Sequence, residues 1–312
     1  MMSRLSIAWW KVLVLISLVM TAGCGGSLSK AGVDSALTPK QRVTPTVSMR
    51  PKASAPEQRR ATVPHPDHVV IVIEENHAYS QIIGSSNAPY INLLASQGAI
   101  FTNADAITHP SEPNYLALFA GSTFGLVDDS CPHTFTSANL AQELIQARES
   151  FGGYSEDLPS VGYTGCSFSN YARKHNPWVN FPNVPSDVNM PLSSFPTNFS
   201  SLPTVSIVIP NLQDDMHDGS IEQADRWLKS HIDNYVKWAN THNSLLVITW
   251  DEDDNSLENQ IPTLFVGPMV KAGKYNVKIN HYSVLRTLEA LYGLRYANQS
   301  ARATPITNIW VK

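Results

Sequence analysis

The sequence predicts a three-layer α/β/α sandwich built on a mostly parallel central sheet. Three observations carry that expectation. Apolar residues make up 43% of the 312 and charged residues 15%, which fills a sizeable core and excludes wholesale disorder. Val69–Ile73 reads VVIVI, an unbroken β-branched run that suits a strand covered on both faces, as in a parallel sheet. Similar runs alternate with helical patterns from His65 to the end, the rhythm of one large α/β domain rather than two.

The elements before that domain read as address and tether. Residues 1–23 combine Arg4, an apolar run from about Ile7 to Ala22 and small residues, the pattern of a secretory signal. The run falls short of the ~20 apolar residues that span a bilayer comfortably. Thr21-Ala22-Gly23 before Cys24 resembles the lipobox of bacterial lipoproteins. That resemblance implies cleavage before Cys24, lipidation of its thiol and a place in a bacterial cell envelope, outside the cytoplasm. An ordinary signal with an incidental cysteine, or an uncleaved anchor, is the alternative. Gly25 rather than Asp follows the cysteine, which in a Gram-negative cell leans towards the outer membrane. Residues 24–64 are rich in Ser, Thr, Ala and Pro and carry seven basic against two acidic residues, so they read as an extended tether. Its positive charge suits anionic headgroups, or solubility alone.

The domain proper, residues 65–312, has the opposite balance, with 13 basic and 24 acidic residues. No Lys or Arg occurs between Ala61 and Ala147. The whole-chain net charge of −4 argues against a general nucleic-acid binder. Further strands are expected at Val205–Ile209, Leu245–Trp250 and Thr263–Val266. Helices are expected at Tyr90–Gln97, Asn114–Ala120, Ala138–Ala147, Ile221–Ala239 and Tyr282–Tyr292. With Cys24 lipidated, Cys131 and Cys166 remain; outside the cytoplasm they would pair, and otherwise form a buried free pair.

Function in open α/β sheets gathers at the carboxyl ends of strands, and here each strong strand ends in polar residues. Val69–Ile73 runs into Glu74-Glu75-Asn76-His77, Val205–Ile209 into Asn211 and Asp214-Asp215-Met216-His217-Asp218, and Leu245–Trp250 into Asp251-Glu252-Asp253-Asp254. A short extended segment near Lys278–Asn280 leads to His281 at a helix start. One such cluster is as readily a solvated loop; three after three buried strands suggest an oxygen/nitrogen metal site. Converging carboxylates repel one another unless a cation neutralises them. Thr108-His109-Pro110-Ser111-Glu112-Pro113-Asn114-Tyr115 precedes another helix, with Pro113 suited to a first turn. Ser111 there is either a plain N-cap or a nucleophile facing a phosphate at the helix N-terminus. With no basic residue in that stretch, an anionic substrate would depend on a metal and backbone dipoles for neutralisation.

These segments, with TWDEDD at 249–254, NLQDDMHDGS at 211–220 and HYSVLRTLEALYGL at 281–294, occur in a telling order. Together they resemble the bacterial phosphoesterase family that joins phospholipase C enzymes with respiratory-burst-inhibiting acid phosphatases, within the alkaline phosphatase superfamily. YARKHNPW at 171–178 resembles the smaller acid-phosphatase branch. The resemblance implies an alkaline-phosphatase-like fold and a divalent metal held by Glu75, Asn76, Asp251 and Glu252. It implies Ser111 as nucleophile, Asn114 on phosphoryl oxygens, and His217, backed by Asp218, and His281 near the leaving group and phosphate. Arg173, Lys174 and His175 form the first dense basic group after the empty stretch and would guide an anionic substrate, or are simply solvated. The phospholipases commonly show Arg after the Pro-Asn step and a Gly-rich segment after Asp-Glu. Tyr115 and Asp253-Asp254 stand there instead. The expected activity is metal-dependent phosphomonoester hydrolysis through a phosphoserine. The alternatives are a phospholipase C or other phosphodiesterase on the same site, and a non-catalytic envelope binding lipoprotein.

Overall fold

The computed structural model describes residues 63–311. The signal, Cys24 and the tether up to residue 62 lie outside the described residues. In chain order the strands are β1 (His68–Glu74), β2 (Ala99–Phe101), β3 (Ala104–Asp105), β4 (Phe151–Ser155), β5 (Ser167–Phe168), β6 (Tyr171–Ala172), β7 (Asn189–Pro191), β8 (Val205–Ile209), β9 (Ser244–Trp250), β10 (Thr263–Val266), β11 (Gly273–Tyr275) and β12 (Ile279–Asn280). The α-helices are α1 (Tyr79–Ile82), α2 (Pro89–Gln97), α3 (Ser111–Ala120), α4 (Leu140–Gln146), α5 (Ile221–Ala239) and α6 (His281–Leu291).

Eight strands form the central sheet in the order β11-β2-β10-β9-β1-β8-β4-β7. β1 sits in the middle, parallel to β8 and β9, and β4 continues the parallel set to β7. Only β10 runs antiparallel to its neighbours, β9 and β2. The middle strands are buried at nearly every position, so both faces are covered. That burial is why β1, β8 and β9 are continuous apolar runs rather than alternating ones. Helix α2 packs against α5, while α3 packs against α6 and α4. The architecture is the α/β sandwich with a mostly parallel sheet.

Helix α3 matters most, because it carries Ser111 at one end and is tied down at the other. Gly121 ends it in the left-handed conformation at φ 68°, and a Cβ there would lie 2.1 Å from the Ala297 carbonyl oxygen. Gly121→Ala is therefore expected to cost about 2–4 kcal/mol by urea denaturation, through strain and overpacking together. Beside it, Glu289 of α6 accepts the Ala297 N–H at 2.7 Å and the Ser300 hydroxyl. Burial pushes the Glu289 carboxyl up to about 7 from an ordinary 4.5. A raised acid pKa contributes stability below about 4.5 that is lost as pH climbs to 7. Glu289→Gln cannot titrate yet keeps an acceptor for Ala297. Relative to wild type it is expected to gain up to ~3 kcal/mol between pH 4.5 and 7.5, read from urea curves at both pH values.

Candidate active site

Two parallel strands and one helix start deliver the first residues. β1 ends at Glu74 and places Glu75 and Asn76 at its carboxyl edge; β9 beside it places Asp251 and Glu252. Asn76 turns the chain with φ 53° and donates its N–H to Asp251 Oδ1 at 3.2 Å. Ser111 is the first residue of α3 and Pro110 is its N-cap, so the hydroxyl caps nothing. Ser111 Oγ instead lies 3.1 Å from Glu75 Oε2 and 3.2 Å from Glu252 Oε1. Ser111, Glu75, Asp251 and Glu252 are all buried.

Glu75 is the hub. Its Oε1 accepts from the Tyr115 hydroxyl at 2.7 Å and lies 2.9 Å from His175 Nε2. The other imidazole nitrogen of His175 lies 3.2 Å from Asp215 Oδ2, and the ring stacks on Tyr115 with centroids 4.9 Å apart. Burial works to raise the Glu75 carboxyl, but the charge of His175 overcomes it and holds Glu75 down at about 2. Burial likewise works against a charged His175, and Glu75 and Asp215 prevail, lifting it to about 9. Asp251 has no basic side chain against it, and His109 beside Glu252 does not outweigh burial there. Burial, then the charge of Glu75, raises Asp251 well above the usual range and Glu252 to about 7.

A second arm, bearing Lys174 and His217, lies close to Glu75. Lys174 Nζ lies 2.9 Å from Asp129 Oδ2 and 3.0 Å from His217 Nε2. Burial opposes its charge, but Asp129 and the site carboxylates raise its pKa all the same. His217 Nδ1 lies 2.8 Å from Asp218 Oδ1, so Asp218 stands behind His217 and half exposed, positioning the imidazole. Cys131 and Cys166 are disulfide-bonded, and Asp129 and Arg173 lie close to the two ends of that link. The basic group missing from residues 61–147 is thus supplied across space by Lys174 and His175. Neutralisation is not left to a metal and backbone dipoles alone.

Three expected roles need correction. Asn114 does not face an open site: its Oδ1 accepts from the N–H groups of Ile107 and Thr108, and its Nδ2 donates to the Thr108 and Pro110 carbonyls. It holds the loop that presents Ser111. Arg173 is buried, and its guanidinium donates to the Thr164 and His133 carbonyls and to Asn180. Four of its five N–H donors are thus engaged within the protein, because the side chain braces the disulfide loop. His281 Nε2 donates to the Asp251 carbonyl at 2.6 Å, and burial lowers its pKa to about 4. A neutral, buried imidazole with its hydrogen so engaged has no proton for a leaving group; it positions Asp251.

His109, Tyr115, Asp129 and Asp215 take site roles that residue type and order alone do not assign, and His175 does more than belong to a basic group. His109 Nδ1 lies 2.5 Å from Glu252 Oε2, and its Nε2 lies 3.4 Å from Asp253 Oδ1. It therefore fixes the carboxylate that faces Ser111. Tyr115, where the phospholipases commonly carry Arg, is a neutral donor to Glu75. All but Asp129 lie inside the quoted motifs, so the signal was present as residue type without direction.

The donor chemistry fits a divalent cation. Asp251 Oδ2 is buried with no hydrogen-bond partner among the described residues, and two further carboxylates, Glu75 and Glu252, meet at Ser111 Oγ. Such a cluster is costly without a cation. Glu75, Asp251 and Glu252 are the candidate oxygen donors, with Asp251 feeling the charge of the other two, and Asn76 lines a cavity of about 430 Å³ with His109 and Glu252. A second set overlaps these donors at Glu75: donor atoms of Glu75, His175 and His217 lie within 4.8 Å of one another.

A buried serine hydroxyl flanked by carboxylates at the edge of such a sheet is suited to phosphoryl transfer. Residues 85–295 match the Phosphoesterase family. The chain belongs to the phosphoesterase family. A phosphatidylinositol-3-phosphatase of Mycobacterium tuberculosis is 57% identical over 246 residues, covering 78% of this chain and 82% of that protein. A phosphate-repressible acid phosphatase of Penicillium chrysogenum is 33% identical, covering 65% of this chain and 54% of that enzyme. Among solved structures, an alkaline phosphatase superfamily protein from Vibrio parahaemolyticus superposes with a TM-score of 0.57 at 11% identity, over 79% of this chain and 72% of that one. That likeness shows the shared fold. For this phosphoesterase the structure brings Ser111, Glu75, Asp251, Glu252, Lys174 and His217 to one edge of the sheet.

Proposed function

We propose that this phosphoesterase is a metal-dependent phosphomonoesterase that works through a phosphoserine on Ser111. One observation carries the reading: Ser111 Oγ sits between two carboxylate oxygens, at 3.1 and 3.2 Å, and is engaged in nothing else. The kinship with named phosphatases supports the substrate class. Glu75, Asp251 and Glu252 would hold the divalent ion, with Asn76 beside them. When bound, it would neutralise phosphoryl oxygens and the developing alkoxide.

Glu252 is placed to take the Ser111 proton, since its Oε1 lies 3.2 Å from Ser111 Oγ and His109 fixes its other oxygen. Ser111 then attacks the phosphorus in line as the bond to the ester oxygen breaks, and the leaving oxygen takes a proton through the Lys174–His217 arm. Water next attacks the phosphoserine, returning one proton to that arm and keeping the other on the released phosphate, while Glu252 returns the serine proton to Ser111. The neutral Tyr115 and the cationic His175 keep Glu75 ionised throughout.

Within phosphomonoesters, we favour a phosphorylated lipid headgroup, supported by the 57% identity to the phosphatidylinositol-3-phosphatase. We place the enzyme in a bacterial envelope, lipid-anchored through Cys24. The Cys131–Cys166 disulfide supports an oxidising compartment. The test compares p-nitrophenyl phosphate, bis-p-nitrophenyl phosphate, phosphatidylcholine and a phosphatidylinositol monophosphate. Monoester turnover should dominate. Cleavage of the diesters with negligible monoester turnover would turn the assignment to a phosphodiesterase.

A further inference from the structure

We propose that Lys174 is the fixed cation of the phosphate pocket, and that its ammonium keeps a metal ion out of the Glu75–His175–His217 cluster. The inference rests on the phosphate-handling reading above and specifies which charge does the work.

An ammonium offers only hydrogens, so His217 Nε2, 3.0 Å from Lys174 Nζ, must accept from it. His217 Nδ1 faces Asp218 Oδ1 at 2.8 Å and so carries the ring hydrogen. That leaves His217 no lone pair for a metal. Both nitrogens of His175 likewise face carboxylates, at 2.9 Å from Glu75 and 3.2 Å from Asp215. The donor atoms have the spacing of a metal site, but His217 has no lone pair to give and the Lys174 ammonium sets a positive charge among them.

Asp129 aims the ammonium. Its Oδ2 accepts from Lys174, while its Oδ1 accepts the backbone N–H of Glu112, the residue after Ser111. The positive charge is thereby tied to the N-terminal turn of α3, one residue along from Ser111. Cys131, two residues after Asp129, is linked to Cys166, whose carbonyl accepts the Arg173 N–H. The two loops bearing Asp129 and Lys174 are therefore held to one another covalently.

The test uses the full-length protein and two readouts that need no turnover: titration with inorganic phosphate, and zinc content after dialysis against Zn²⁺. Lys174→Met should weaken phosphate binding roughly 10–100-fold, the loss of one charge-assisted contact. It should also hold about one more zinc per chain than wild type, as His217, freed of the ammonium, becomes a ligand beside Glu75. Lys174→Arg should keep the wild-type zinc content and bind phosphate within about 10-fold of wild type. Should Lys174→Met fail to fold, Asp129→Asn carries the test, and it too must weaken phosphate binding. Unchanged phosphate affinity, or no additional zinc in Lys174→Met, overturns the inference. A wild-type protein that binds phosphate but does not turn over monoesters would instead overturn the proposed function.

Discussion

Ser111→Ala is expected to lower kcat on p-nitrophenyl phosphate by roughly 10,000-fold or more, with little change in KM. The hydroxyl is the only atom removed, and it sits at N1 of α3 without capping the helix. Its loss forfeits one hydrogen bond, worth about 1 kcal/mol, so the fold should survive with a small shift in melting temperature. A kcat collapse without unfolding separates a nucleophile from a structural serine. A plain structural role would leave kcat within a few-fold of wild type. The collapse should not be reversed by added metal, because the missing group is the attacking atom.

Removing divalent ions should cost activity on the same scale, at least ~1,000-fold in kcat, and re-addition should restore it. The stability effect has a sign that tests the donor set. Asp251, raised well above the usual carboxylate range by burial and by Glu75 and Glu252, is destabilising when no cation is present. Asp251→Asn should therefore be more thermostable than wild type in chelator. With metal near 100 times its Kd, wild type gains about 2.7 kcal/mol by mass action, and Asp251→Asn should gain much less. The order of the two melting curves should reverse between chelator and metal. An unchanged order would show that Asp251 does not serve the ion.

Much of the fold was legible because burial writes itself into sequence. Val205–Ile209, Thr263–Val266 and Ile221–Ala239 have the bounds their patterns indicate. β4 was not legible: its sequence FGGYS has two glycines, which disfavour strands taken alone. The reason is tertiary, since a Cβ on Gly153 would lie 2.3 Å from the Trp178 ring, and no local rule shows that indole. β2, only AIF, and β7, NMP, are too short to show a period.

The site divides similarly. Strand ends and motif order were enough to nominate Glu75, Ser111, Asp251 and Glu252 together. What they could not give is the direction of a polar side chain. Asn114 and Arg173 carry the right groups for phosphate, yet their donors satisfy backbone carbonyls and neighbouring amides in loops that would otherwise leave polar groups unpaired. His281 was misread for the same reason: its hydrogen goes to the Asp251 carbonyl. The Glu75–His175–Asp215 chain joins three segments far apart in sequence, and only the folded sheet brings them into contact.

The central claim is a covalent phosphoserine at Ser111, and rapid acid quenching of the metal-loaded, full-length protein with p-nitrophenyl phosphate tests it most directly. Mass spectrometry of the digested protein should find a phosphoryl group on the peptide containing Ser111, formed within the first turnover and absent from Ser111→Ala. Steady hydrolysis by the wild type with no such adduct, and comparable hydrolysis by Ser111→Ala, would contradict the account.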